Sequence, residues 1–288
     1  MVEVSTGVAG LLGGGVYALL GLCILLTYRL VAVVNFAQVA VGALGAYGMV
    51  IPYTDGVPLV PAIIIGLVVG AVANGLVGLA MTKYFFEGSE DVKAGVTVVM
   101  FTALLALGGL LFGPSHPYNF PQPVTSNAFN VAQVGVSWPV VAVIILAIIV
   151  AVGAFLFLRG TRTGLLLRAL ASRPTTSQLI GIAAPRLAMI VWMSTGALTA
   201  LSLMVIAPTV QNDFSSLSLL LVWGLAAALI GAFRSFWGAL IGGLALGALQ
   251  GVLSSVQSLA TYRGALPFVA IILVLMWSQR HARWDAAA

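Results

Sequence analysis

Two histidines, one cysteine and seven acidic residues are nearly all that this sequence offers to a metal ion or a covalent reaction. His116 and His281 fall in polar stretches predicted on opposite sides of a membrane, so one chain forms no His–His metal site, and neither has a plausible second ligand nearby in sequence. Cys23 stands alone inside an apolar run, which provides no disulfide framework or metal cluster and reads as a small buried side chain. All seven acidic residues fall in loops or tails. Carriers coupled to protons or sodium usually need ionisable groups at mid-membrane depth, where such groups are costly and kept only for function. Sodium sites built from backbone carbonyls stay open. A chain that hydrolyses ATP needs a G-x-x-x-x-G-K-[ST] loop to cradle the phosphates. Lys83 and Lys93 are the only lysines, and Tyr84 and Ala94 follow them. No catalytic residue, metal site or cofactor is therefore assigned to this chain, and any ATP that drives it must bind another.

The polar side chains left at membrane depth form two clusters. Asn35-Phe36-Ala37-Gln38 lies a few residues into the second apolar segment, and Arg234-Ser235 occupies the tight connection between the seventh and eighth. Amides in hydrocarbon need partners, from neighbouring helices or from a polar cavity. Interhelical hydrogen bonding and a substrate path both answer that need.

The elements that must position these residues follow from hydropathy. Hydrophobic residues make up 61% of the 288 and charged residues 7%, against about a quarter charged in soluble domains. Nine apolar segments, near 7–28, 30–52, 57–82, 95–113, 138–158, 187–207, 218–233, 236–258 and 265–278, suit helices rather than the alternating strands of a barrel. The predicted fold is all-α: one transmembrane domain over 1–288, a polytopic bundle of eight or nine spans. The seventh and ninth are short, and one of them fits a half-helix. The first segment lacks preceding basic residues and reads as a span, not a cleaved signal.

With the 159–186 loop placed in the cytoplasm, Arg159, Arg162, Arg168, Arg173 and Arg186 lie inside, joined by Arg29, Lys83, Lys93, Arg234, Arg280 and Arg283. Only Arg263 is left outside. The N-terminus is then outside and the C-terminus cytoplasmic. The net charge of +5 and pI of about 9.7 follow this topology and do not indicate nucleic acid. Residues 114–137, with Pro114, Pro117, Pro121 and Pro123, read as a structured outer loop. Within 159–186, Pro174 can start and Gly181 stop a helix over Thr175–Ile180, about 10 Å long. Such an element is too short to cross and is shaped to dock on a partner; a re-entry loop whose arginines only mark the inner face is the alternative. Gly238 and Gly242, and Gly243, Gly247 and Gly251, recur every four residues and suit close helix packing.

Four stretches in order resemble the permease subunits of branched-chain amino-acid-type ABC importers, the hydrophobic amino acid uptake class. Gly14-Gly15-Val16-Tyr17-Ala18-Leu19 resembles its G-x-x-Y-A-L opening. Val34-Asn35-Phe36-Ala37-Gln38 with Gly42 and Gly45-Ala46-Tyr47 resembles I-N-F-A-H-G and L-G-A-Y. Arg162–Gly164, Arg168-Ala169 and Leu179-Ile180-Gly181-Ile182 resemble R-x-G-x-x-x-R-A…L-L-G-I. Gly231, Ser235, Gly238-Ala239 and Gly242-Gly243 resemble G-G-x-G-S-x-x-G-A-x-x-G-G.

The resemblance implies a prokaryotic plasma-membrane importer. In it, two permeases, related or identical, surround a path, two ATPase subunits bind ATP and Mg beneath, and an extracytoplasmic binding protein delivers substrate. Loops 114–137 and 208–217 would face that binding protein. It implies that Tyr17, Asn35, Phe36 and Gln38 line the path. It further implies that Arg162, Arg168, Arg173, Pro174, Thr175, Gln178 and Gly181 belong to the ATPase-coupling region. The sequence departs from the family at Gln38-Val39 for His-Gly, at Arg234 for glycine, at Trp237 for proline and at Ser172-Arg173 for acidic residues. The substrate is open among hydrophobic amino acids, amides and organic acids. A stand-alone carrier or channel is the rival reading, and for a membrane enzyme no catalytic constellation is visible.

Overall fold

The computed structural model describes residues 6–7, 9–85, 88–113, 118–121, 127–131, 134–172, 184–210 and 213–285. Its helices are α1 (Leu11–Val31), α2 (Gln38–Thr54), α3 (Leu59–Tyr84), α4 (Glu90–Phe112), α5 (Trp138–Gly160), α6 (Arg162–Ser172), α7 (Ala184–Ile206), α8 (Phe214–Leu219), α9 (Leu221–Ile230), α10 (Phe236–Ser255) and α11 (Leu266–Asp285). Among the described residues, seven helical stretches are long and apolar enough to cross a membrane. The 17-residue α2 and the α8–α9 pair, which bends at Leu220, are shorter. Every apolar segment of the sequence has a helical counterpart.

Local chemistry sets the starts. The Ser89 hydroxyl accepts the Val92 N–H ahead of α4, with Glu90 and Asp91 in the first turn. Asp213 accepts the Ser216 N–H ahead of α8, and Ser235 the Gly238 N–H at 3.0 Å ahead of α10. Three details differ from the sequence expectation. Segment 30–52 is not one helix, because α1 ends at Ala32 in a left-handed conformation (φ 56°) and residues 33–37 are irregular before α2 begins. The ninth segment reaches crossing length because the 3-10 turn Ala260–Ala265 leads into α11, so the helical stretch Ala260–Ser278 has 19 residues. Within 114–137 the described residues include an antiparallel hairpin, β1 (Asn127–Val131) and β2 (Val134–Ser137), which hydropathy does not reveal.

Helix α1 is the centre, most of it buried against α5, α7, α9 and α10, whereas α4 and α11 turn nearly all their apolar surface outward. Outward leucines and isoleucines on these helices are what a bilayer-facing wall requires. Aromatic rings close one end of the bundle, with Tyr47 4.3 Å from Phe112 and 5.7 Å from Phe214.

Backbones meet along two seams. On α10, a Cβ at Gly243 would land on the Ala18 backbone, one at Gly247 on Gly14, and one at Gly251 on the Thr6 carbonyl. A second seam joins α2, α3 and α7, where a Cβ at Gly45 would come 2.8 Å from the Gly66 carbonyl and one at Gly70 3.0 Å from that of Gly196. Gly242 instead faces Ile230, and Gly238 packs on the turn at Gly231.

That turn carries two non-glycine residues with positive φ, Ala232 (51°) and Phe233 (52°). Phe233 has a partner in Tyr28, 5.0 Å away, while Ala232 is exposed. Left-handed geometry costs an L-residue about 1–2 kcal/mol, part of which glycine returns through its looser unfolded chain. Ala232→Gly is therefore expected to raise Tm by about 2 °C in detergent. An unchanged or lower Tm would contradict the strained turn.

Candidate functional site

The break between α1 and α2 is held by other helices. The Thr97 hydroxyl of α4 accepts the Phe36 N–H at 3.3 Å and lies 3.0 Å from the Val34 carbonyl, so irregular backbone finds partners inside protein. Asn35 and Gln38 have no exposed surface. The Asn35 amide donates to Asn74 Oδ1 of α3 at 3.0 Å, and the Asn74 amide donates to the Trp192 carbonyl at 2.6 Å and to Thr195 Oγ1 at 3.2 Å. Gln38 Nε2 donates to Thr199 Oγ1 at 3.1 Å, and Gln38 Oε1 lies 3.1 Å from the Thr27 hydroxyl.

Amides and hydroxyls from α1, the break, α2, α3 and α7 thus form one enclosed, neutral network. Asn35 Oδ1 and Trp192 Nε1 are buried within it without a hydrogen-bond partner. Neutral donors and acceptors can exchange partners without moving a charge into low dielectric, which suits a site that must rearrange.

Tyr17 sits apart from this network. Its ring stacks 4.4 Å from that of Trp223, and its hydroxyl donates to Gln250 Oε1 of α10 at 2.7 Å. Tyr17 and Gln250 border a cavity of about 350 Å³ whose other polar walls include Thr209, Ser254 and Arg263. Phe36 is half-buried against the core. The structure therefore brings Asn35 and Gln38 into one enclosed network and puts Tyr17 in a separate, open cavity.

Of the residues expected to couple to an ATPase, Arg162 opens α6 and is exposed, as is Arg168, while the neighbouring Leu167 is buried. Gly164 presses on the last turn of α5, where a Cβ would come 2.7 Å from Leu158 Cα. Arg173, Pro174, Thr175, Gln178 and Gly181 lie outside the described residues.

Asn74, Gln250, Thr27, Thr97, Thr195 and Thr199 are partners that sequence reasoning passed over. The signal was present for two of them, since Asn74 and Gln250 are amides inside apolar runs and face the same need as Asn35. The threonines gave none, because a helical threonine can satisfy its hydroxyl on its own helix, as Thr195 does with Val191.

A helical wall of apolar side chains around enclosed neutral amides defines a multi-pass membrane protein. The family described as "Branched-chain amino acid transport system / permease component" matches residues 8–275, and the chain belongs to it. A similar sequence is the "Probable branched-chain amino acid transport permease protein LivH" of Methanocaldococcus jannaschii. It is 26% identical over an alignment of 272 residues that covers 90% of this chain and 83% of that protein. A similar solved structure is "PsaBC from Streptococcus pneumoniae in complex with Fab", with TM-score 0.50 and 12% identity, covering 94% of this chain and 89% of that one. At that identity the likeness concerns the fold.

Proposed function

We propose that this chain is the substrate-translocating permease of an ATP-driven importer for a hydrophobic or branched-chain amino acid or a related amide or organic acid. The observation that carries the reading is the family's match over residues 8–275, and the archaeal relative's name supports the substrate class. In this reading a second permease, related or identical, completes the path. Two ATPase subunits bind ATP and Mg, and a binding protein outside the plasma membrane delivers the substrate. The arginine distribution supports an outer N-terminus and a cytoplasmic C-terminus.

Substrate enters by the Tyr17–Gln250–Arg263 cavity, whose aromatic floor and single cation suit an apolar molecule bearing a carboxylate. The Asn35–Asn74 and Gln38–Thr199 contacts hold the path closed in the conformation described, with Phe36 beside them. Arg162 and Arg168, with Arg173 to Gly181, carry the motion of the ATPases to the spans in alternating access.

The test is uptake of labelled leucine by membrane vesicles holding the chain with its co-expressed ATPases. Uptake is expected to require ATP, and deleting residues 172–182 is expected to remove the ATPases from the purified complex while the chain stays in the membrane. Intact assembly after the deletion counts against coupling there. Uptake by the purified chain alone, without ATP, would replace this reading by that of an independent carrier.

A further inference from the structure

We infer that a second cavity, of about 300 Å³, is a binding site for the phosphate headgroup of an anionic phospholipid. Four guanidinium groups line it, from Arg29 in the last turn of α1, Arg159 in the last turn of α5, Arg168 on α6 and Arg234 in the turn before α10. No acidic residue is among its described lining residues. The cations are held by other means. Arg29 donates to the Arg234 carbonyl at 2.9 Å and lies 5.1 Å over the Phe236 ring, and Arg159 lies 4.4 Å over that of Phe155.

An inside-positive bias brings arginines to one face, but it does not make four of them converge on one hollow, where they repel. An anion in the hollow removes that repulsion, and the planar fork of arginine fits phosphate oxygens two at a time.

The surroundings specify a lipid. Exposed apolar side chains rise from the cavity along α5, where Leu156, Ile149 and Ile145 follow Arg159 at helical spacing. They rise along the adjacent α10 as well, where Ile241 and Leu249 follow Trp237. A headgroup seated among the arginines would lay its acyl chains on these two stripes, with the Trp237 indole at interfacial depth. Arg234 and Trp237, both in the cavity wall, are also the two positions where the connection departs from its family pattern. The inference rests on the permease reading only in that its test uses the assembled complex, where ATPase retention and lipid retention are read separately.

The experiment titrates the purified full-length complex, in mild detergent, with phosphatidylglycerol, phosphatidylcholine or inorganic phosphate and follows Tm, with native mass spectrometry counting retained lipid. Phosphatidylglycerol is expected to stabilise the wild type and stay bound, and phosphatidylcholine to do neither. Arg159→Gln and Arg168→Gln, both at exposed side chains that leave the Arg29–Arg234 contact intact, are each expected to raise the phosphatidylglycerol midpoint about fivefold. Lys83→Gln is expected to leave it unchanged. An undiminished response in the arginine variants, an equal response to phosphatidylcholine, or inorganic phosphate acting as well as the lipid overturns the inference. Loss of the ATPase from the arginine variants, with lipid retention intact, overturns it too, by giving the cavity to a protein carboxylate.

Discussion

Gly247→Leu is expected to abolish recovery of monodisperse protein from membranes, whereas Gly153→Leu is expected to leave recovery unchanged. A Cβ at position 247 would land on the Gly14 backbone and come 2.7 Å from the Gly10 carbonyl. Overpacking costs about 1–3 kcal/mol where neighbouring side chains can shift. Here both sides of the contact are main chain, so α1 and α10 can only part, and the most buried helix of the bundle loses its closest partner. Position 153 has no heavy atom within 4 Å of its would-be Cβ, so it reports what added bulk does at an open site on α5. The two variants are compared by size-exclusion profile and Tm after solubilisation. A Gly247→Leu chain that elutes and melts like the wild type would show that the helices do not touch there.

The second large effect is expected at Asn74. Asn74→Leu removes the acceptor of the Asn35 amide while leaving that amide buried, and Asn35 Oδ1 already lacks a partner. A stranded buried polar group costs about 1–3 kcal/mol, more than the roughly 0.6 kcal/mol that an interhelical hydrogen bond contributes in membranes. The loss should therefore come chiefly from what is left behind, and Asn35→Leu combined with Asn74→Leu should recover most of it. Thermal unfolding of the two single variants and the double variant measures this coupling. The double variant is further expected to assemble with its partners and to lose ATP-driven uptake. Uptake that follows only the folded fraction would limit the network to packing.

The spans were legible because an apolar run must be helical in lipid whatever its neighbours do. Where α2 begins was not, since the helix is broken by the φ of Ala32 and by Thr97, 65 positions away along an unrelated helix (97 − 32). Asn35 and Gln38 were recognisable as amides needing partners, yet Asn74, Thr195 and Thr199 could be matched to them only by the packing of α3 and α7 on the break. Likewise, Tyr17 stood out by its motif, while Gln250 looked like one polar residue in a glycine-rich run until the fold placed it 2.7 Å away. The paired strands Asn127–Val131 and Val134–Ser137 were hidden because runs of five and four residues are too short for a period to declare itself. The resemblance to ABC importer permeases came from motif order along the chain, which matches the family's extent over residues 8–275.

Contact between bare backbones has a mechanical consequence. Helices joined that way resist slipping: α1 meets α10 backbone to backbone, and between α2, α3 and α7 little but the Ala200 methyl and the end of Met204 intervenes, so each group behaves as a laminate. The chain passes directly from one laminate to the other through residues 32–37. Torque that turns one against the other must slide α7 along α1 and twist those few peptides together, with the Thr27–Gln38 hydrogen bond as the latch across the joint.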